Sequence, residues 1–291
     1  MPAMFGYAFA ISDIRVTLGD GSERDCLQKI YPVGRFLAMG FAGSVRIGFA
    51  MVERLTRMLE NCPETEAWDP TVVAEWWPQE AATLFRRFPE DERDAHCHLM
   101  LISVHPNEPA EGPWPRSFVH VFRSPDFAAE VVNPQKVAAI GSGANFAPCR
   151  EEIEKLAVDD DETFNLIKSE MGGAGNIATV LGFSLTRVLQ QTQPRGISSH
   201  LNYCWAYRGR VIIRTNDHAT FGPRWSMFSS GSGIDRPDDE PTGPDPEAHG
   251  GVQFTMPALA RSWSELVALL GAHGESATRC TAVTGAVRAD D

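Results

Sequence analysis

Asp13 and Lys29 are the residues whose types and surroundings most ask for a chemical reading. In Ser12-Asp13-Ile14-Arg15-Val16-Thr17 the carboxylate shares a strand face with Phe9 and Ile11, so it ends an apolar face. Lys29 stands in Gln28-Lys29-Ile30-Tyr31-Pro32-Val33, a short and mostly apolar segment. Opposite charges among buried strands must pair, because an isolated one costs on the order of several kcal/mol. Two glycine-bearing turns, Gly40-Phe41-Ala42-Gly43-Ser44 and Ala139-Ile140-Gly141-Ser142-Gly143, are the other segments that stand out. On the residues alone, an Asp and Lys pair beside such a turn reads as a structural ion pair at least as readily as a catalytic one.

In their order and spacing these four segments resemble the proteasome β-subunit family and its bacterial relative, the peptidase subunit of the two-component ATP-dependent protease. Both are N-terminal-nucleophile hydrolases. The resemblance runs from about residue 7 to about residue 215 and is strongest in the first fifty residues and at 140–144. It implies that Asp13 is the Asp at the exit of the second strand. It also implies that Lys29, sixteen residues on, is the Lys that lowers the nucleophile's pKa. Ala42-Gly43 matches the pair that supplies an oxyanion-hole N–H, and Ser142 matches the hydroxyl near the N-terminal amine. Ser198, in Gly196-Ile197-Ser198-Ser199, matches the Ser of the family's Asp-x-x-Ser-Gly-Gly turn.

The chemistry implied needs these types. A hydroxyl on the first residue is activated by its own α-amine, a base titrating near neutrality. A buried Lys favours the alkoxide, an Asp keeps that Lys charged, and a backbone N–H such as that of Gly43 stabilises the tetrahedral oxyanion. Two departures stand against it. The family's nucleophilic Thr lies sixteen positions before the Asp, which falls ahead of Met1; no Thr precedes Thr17, and Ser12 is too close to Asp13 to replace it. Arg195 occupies the Asp position of the later turn, with Ser199-His200 in place of its two glycines. The expectation is a threonine-type peptidase or amide hydrolase by ancestry, inactive as the chain stands. The alternative is a non-catalytic paralogue kept for ring assembly or for binding extended peptide. Partners implied are further copies of the chain, in a ring, and a peptide substrate; no cofactor and no metal are expected.

Other candidates carry less. His96-Cys97-His98 puts two imidazoles on one strand face without an acidic or Cys partner at ligand spacing. His120, within 118–122, reads as a hydrogen-bonded core or interface histidine. Gly172-Gly173-Ala174-Gly175 lacks the Lys-Ser or Lys-Thr of a phosphate loop, and Trp76-Trp77 reads as core.

The elements that must position these residues follow from periodicity. Residues 6–17, 26–33 and 35–41 read as strands, the first two separated by the turn 18–22. Ile47, Met51, Leu55, Met58 and Leu59 recur at helical spacing until Cys62-Pro63, and Asp69-Pro70 opens a second helix to about Phe88. A hairpin of 98–105 with 117–123 follows, then a short run at 137–140. Next come a helix carrying Phe146, Ile153 and Leu156, and a helical stretch 161–191 divided at 172–175. A hairpin over 201–215 completes the pattern. Runs of strands alternating with runs of helices predict an α+β layered fold. The resemblance sharpens this to a four-layer αββα sandwich, the proteasome-like N-terminal-nucleophile hydrolase fold. The expected domain spans 1–222, a Pro/Gly/acidic linker spans 223–251, and 252–291 holds a docked helix, read at 256–270 with Pro257 in its first turn, and an acidic tail.

Composition bounds the function. At 291 residues, 43% apolar and 22% charged, the chain is globular in type. A net charge of −12 repels a phosphate backbone, so nucleic acid is not an expected partner. Cys26, Cys62, Cys97, Cys149, Cys204 and Cys280 are scattered singly, which suits reduced thiols in a cytoplasmic protein. No stretch reaches the roughly 18 apolar residues of a membrane span, and Met1-Pro2-Ala3-Met4 opens no signal peptide.

Overall fold

The computed structural model describes residues 8–61, 69–105, 117–132, 138–157, 174–207, 210–215, 218–221, 227–229, 252–255 and 257–271. Two antiparallel sheets frame the site. One has three strands in the order β1-β9-β10, namely β1 (Ala8–Asp13), β9 (Leu201–Tyr207) and β10 (Arg210–Thr215). The other has five, in the order β4-β5-β6-β7-β8: β4 (Ile30–Gly34), β5 (Leu37–Gly43), β6 (Cys97–Val104), β7 (Ser117–Arg123) and β8 (Ala129–Val131). A short hairpin of β2 (Arg15–Thr17) and β3 (Glu23–Asp25) leads from the first sheet to the second.

Alternation along the strands gives each sheet a shared face. Ala8, Cys204 and Ala206 from one sheet bury against Ile30, Ala38, Ile102 and Val121 from the other. On its opposite face the five-stranded sheet turns Leu37, Met39, Leu99 and Leu101 towards α1 (Val45–Leu59) and α2 (Val73–Phe85). Helix α1 starts where Ser44 Oγ accepts the Ile47 N–H at 3.4 Å. Its apolar stripe, Ile47, Met51, Leu55 and Leu59, is wholly buried in this core. That stripe therefore packs within the chain and is not the self-association surface its apolar character suggests.

Helix α3 (Glu90–Arg93) precedes β6, and α4 (Ala147–Ala157) packs on α5 (Ala174–Thr192). Tyr203 of β9 lies so close to Gly182 of α5 that a Cβ there would meet the ring at 1.9 Å, which fixes α5 against the three-stranded sheet. A third sheet joins β11 (His218–Phe221) to β12 (Met227–Ser229) and β13 (Val252–Thr255).

Several expectations change. The run 6–17 splits at Ile14 into β1 and β2, Glu23–Asp25 pairs with β2, and the strand expected over 26–33 begins only at Ile30. The helix expected over 256–270 is shorter: α6 is Trp263–Leu270, capped by Ser262 Oγ on the Glu265 N–H at 3.2 Å. Pro257 precedes it outside any helix or strand, and Ala260 bridges Leu27 in parallel. Strand β12 falls inside the stretch read as a linker; residues 230–251, the acidic tail and the division at 172–173 lie outside the described residues. His120 is stacked between Phe118 and Phe122, and its Nδ1 has no hydrogen-bond partner, so packing rather than hydrogen bonding at Nδ1 holds it. Burial lowers its pKa. Trp77 is fully buried, with Trp76 edge-on against it.

Candidate functional site

Asp13 ends β1 and Lys29 immediately precedes β4, so the two sheets deliver one charge each to the same place. Lys29 Nζ lies 3.0 Å from both Asp13 oxygens, with side-chain exposures of 9% and 15%. The Phe41 N–H donates to the Lys29 carbonyl at 3.2 Å, which ties the Lys29 backbone to β5. Asp13 Oδ1 also accepts the Arg15 N–H at 2.8 Å and the Ser198 N–H at 3.4 Å.

Arg15 is the hub that sequence reasoning missed. Its guanidinium grips Asp25 with Nε at 2.7 Å and Nη2 at 3.2 Å, and reaches Glu23 with Nη1 at 3.0 Å. Both carboxylates then hold the 195–200 loop. Asp25 accepts the Ser198 hydroxyl at 2.7 Å, and Glu23 Oε1 accepts the Gly196 N–H at 2.9 Å. Burial alone pushes the Asp25 carboxyl up, but hydrogen bonds from His200, Arg15 and Ser198 outweigh it and hold the group well below the ordinary carboxylate range. The Arg15 pKa is raised, chiefly by its hydrogen bond to Asp25.

Arg195, where the resemblance expects an acid, lays its Nε 3.6 Å from Glu23. The carboxylate that meets the Ser198 hydroxyl therefore comes from β3 and not from the loop itself. Ser198 is fully buried and also accepts the His200 N–H at 3.0 Å. Ser142 reaches the same loop from the other side, its hydroxyl donating to the Gly196 carbonyl at 3.2 Å. Gly141, at φ 76°, lets that turn close over β5, where a Cβ would come within 2.8 Å of the Ala42 Cβ.

A cavity of about 180 Å³ opens beside the pair, lined by Asp13, Lys29, Ser142 and Gly40 among others. Its walls are mainly aliphatic, with Met100, Ile140, Ile153 and Leu185, and with Cys149, whose thiol is pushed up to about 11 by burial and then by the Asp13 and Glu152 charges. Asp13, Lys29 and Ser142 are thus brought together. Gly43 is not among the lining residues, whereas Gly40, Phe41 and Ala42 are. Gly43 has φ 101°, and a Cβ there would lie 2.5 Å from the His96 carbonyl oxygen, so close packing accounts for a glycine. Ser198 meets Asp13 through its N–H alone, its hydroxyl being turned to Asp25.

The rings of His96 and His98 are 6.2 Å apart, and among the described residues no group of three His, Cys, Asp or Glu is placed to share a metal ion. Among them, too, no helix is long and apolar enough to cross a membrane.

No family model and no curated protein matches the chain. Among solved structures it is similar to eukaryotic HslV from Trypanosoma brucei, at 18% identity over 71% of this chain and 97% of that one, with a TM-score of 0.44. A likeness at that level concerns the path of the chain and carries nothing about residues or chemistry.

Proposed function

We propose that the chain is a proteasome-like N-terminal-nucleophile hydrolase homologue, a four-layer αββα sandwich, whose charged site serves to bind an acyl or amide group and not to cleave it. The observation that carries this reading is the Asp13 and Lys29 pair, sixteen residues apart in sequence and 3.0 Å apart in space, at the wall of an apolar cavity that also holds Ser142. An ammonium so placed can polarise a carbonyl seated in the cavity. Ser142 donates its proton to Gly196 and so keeps its oxygen lone pairs to accept from a ligand N–H.

Binding without turnover is supported by the later turn. Arg195 replaces the expected acid and pairs with Glu23, and the Ser198 hydroxyl is committed to Asp25. Self-association into a ring belongs to the same reading, with its interface away from the buried stripe of α1. Light scattering across a tenfold concentration range tests it, and a steady mass near 32.0 kDa rejects it.

The function is tested by incubating the 291-residue chain with a panel of fluorogenic peptide amides. The expected result is no turnover above buffer, together with saturable binding of the uncleaved amides. Turnover that disappears in Lys29→Met would overturn the reading.

A further inference from the structure

The two members of the charge pair are anchored differently. Asp13 ends a regular ladder, opposite Leu201. Lys29 closes the connection 26–29, which joins β3 to β4 and lies outside both strands. That connection is held by backbone from two places. The Ile14 carbonyl, next to Asp13, accepts the Cys26 and Leu27 N–H groups at 3.1 and 3.0 Å. Ala260, from the far end of the chain, accepts the Gln28 N–H at 3.1 Å and donates its own N–H to the Cys26 carbonyl at 2.7 Å. Gln28 then brackets Lys29: its Nε2 donates to the Ile30 carbonyl at 2.7 Å, and its carbonyl accepts the Tyr31 hydroxyl.

The Ala260 bonds are part of a larger contact. Leu27, Ala260 and Leu266 of α6 are buried in one core, with Trp263 and Leu270 packed against it. Helix α6 has only eight residues, so it is held by this packing and not by helical propensity. An element of that size opens at a lower free energy than the whole fold. When it opens, the Gln28 N–H and the Cys26 carbonyl lose their partner, and the two residues before Lys29 are loosened. A long ammonium side chain keeps both Asp13 oxygens at 3.0 Å only while its backbone is fixed.

We infer that residues 257–271 form a strap that positions Lys29, so that the charge pair is complete only while the strap is docked on Leu27. Ala260 and Leu266 are positioning residues, which act through 26–28 and do not line the cavity. The coupling is reciprocal: a ligand held by the Lys29 charge also favours the docked strap. This goes beyond amide binding, since it concerns what holds the pair and not what the pocket takes.

The test uses the full chain. Lys29 is one of four lysines, with Lys136, Lys155 and Lys168, so acetylation by N-hydroxysuccinimidyl acetate at pH 8 can be followed at each by peptide mass. Leu266→Ala empties a fully buried position of the strap, and Ala260→Pro removes the N–H given to Cys26. Each should raise the rate at Lys29 about tenfold relative to the other three lysines. Leu266→Met should leave it within about twofold, and so should Val121→Ala, which weakens the core between the sheets and controls for lost stability as such. Where the strap variants do not fold, amide exchange of the unaltered chain decides. The Gln28 and Ala260 N–H groups should then share one protection factor, about tenfold or more below that of Leu99 in β6. Lys29 labelling that is unchanged in the folded strap variants, or that rises equally in Val121→Ala, overturns the inference. So do Gln28 and Ala260 amides that exchange independently or as slowly as Leu99. Turnover of peptide amides would overturn the proposed function without altering this labelling, and unchanged labelling would leave the proposed function as it stands.

Discussion

Removing the Asp25 side chain by Asp25→Ala leaves the fully buried Ser198 hydroxyl without the carboxylate it meets at 2.7 Å. Arg15 keeps Glu23 at 3.0 Å, so its charge is not stranded. The dominant cost is the unsatisfied hydroxyl together with the lost guanidinium bonds, about 1–3 kcal/mol by the usual measure. His200 Nδ1, 3.3 Å from Ser198 Oγ, offers a longer alternative acceptor, which places the expected loss near the middle, at about 2 kcal/mol.

The loss should depend on pH with a defined sign. The folded pKa of Asp25 lies below its unfolded value, so its contribution is complete above the unfolded pKa of about 3.9. It is lost as pH falls through the folded value. Urea unfolding of both proteins at pH 7, 4.5 and 3 reads this directly. The gap should be about equal at the first two and smaller at the third. A gap below about 0.5 kcal/mol at pH 7, or one independent of pH, would refute the assignment of Asp25 as the anchor of the loop.

Lys29→Met strands the Asp13 carboxylate and should cost about 3 kcal/mol in chemical denaturation, of which adding Asp13→Asn should recover more than half. Gly43→Ala forces a Cβ within 2.5 Å of the His96 oxygen at φ 101° and should destabilise by about 3 kcal/mol on the same measurement. Cys149, its thiol near 11 and buried, should react with iodoacetamide at pH 8 roughly a hundredfold more slowly in the folded chain than in urea. Comparable rates would show that the cavity wall opens freely.

The charge pair was legible because its evidence is local. A carboxylate on an apolar strand face and a Lys in a short apolar run must find each other, and they meet at 3.0 Å. The Arg15 network was not legible, since residues 23–25 fall between the turn 18–22 and the run 26–33 and nothing local marks Glu23 and Asp25 as supports for a loop some 170 residues later; both hydrogen bonds span 173 positions. Gly43 has a packing reason that the sequence does not display: a Cβ there would meet the His96 carbonyl, a contact invisible in one dimension. At the other end, amphipathic spacing over 256–270 concealed a better start signal, Ser262-x-x-Glu265, in which the Arg261 N–H also meets Glu265 Oε2 at 2.7 Å. The bridge from Ala260 to Leu27 was likewise out of reach, because pairing between distant segments belongs to the fold and not to either segment alone.

The central claim, a retained charge pair that binds an amide without cleaving it, is tested most directly by intact mass. The purified chain of 32.0 kDa is incubated with an excess of a peptide epoxyketone, an electrophile that captures an N-terminal nucleophile, and then weighed. The account predicts an unmodified mass. A stoichiometric adduct that forms with the native chain and fails to form with Lys29→Met would contradict it, because the pair would then be activating a nucleophile.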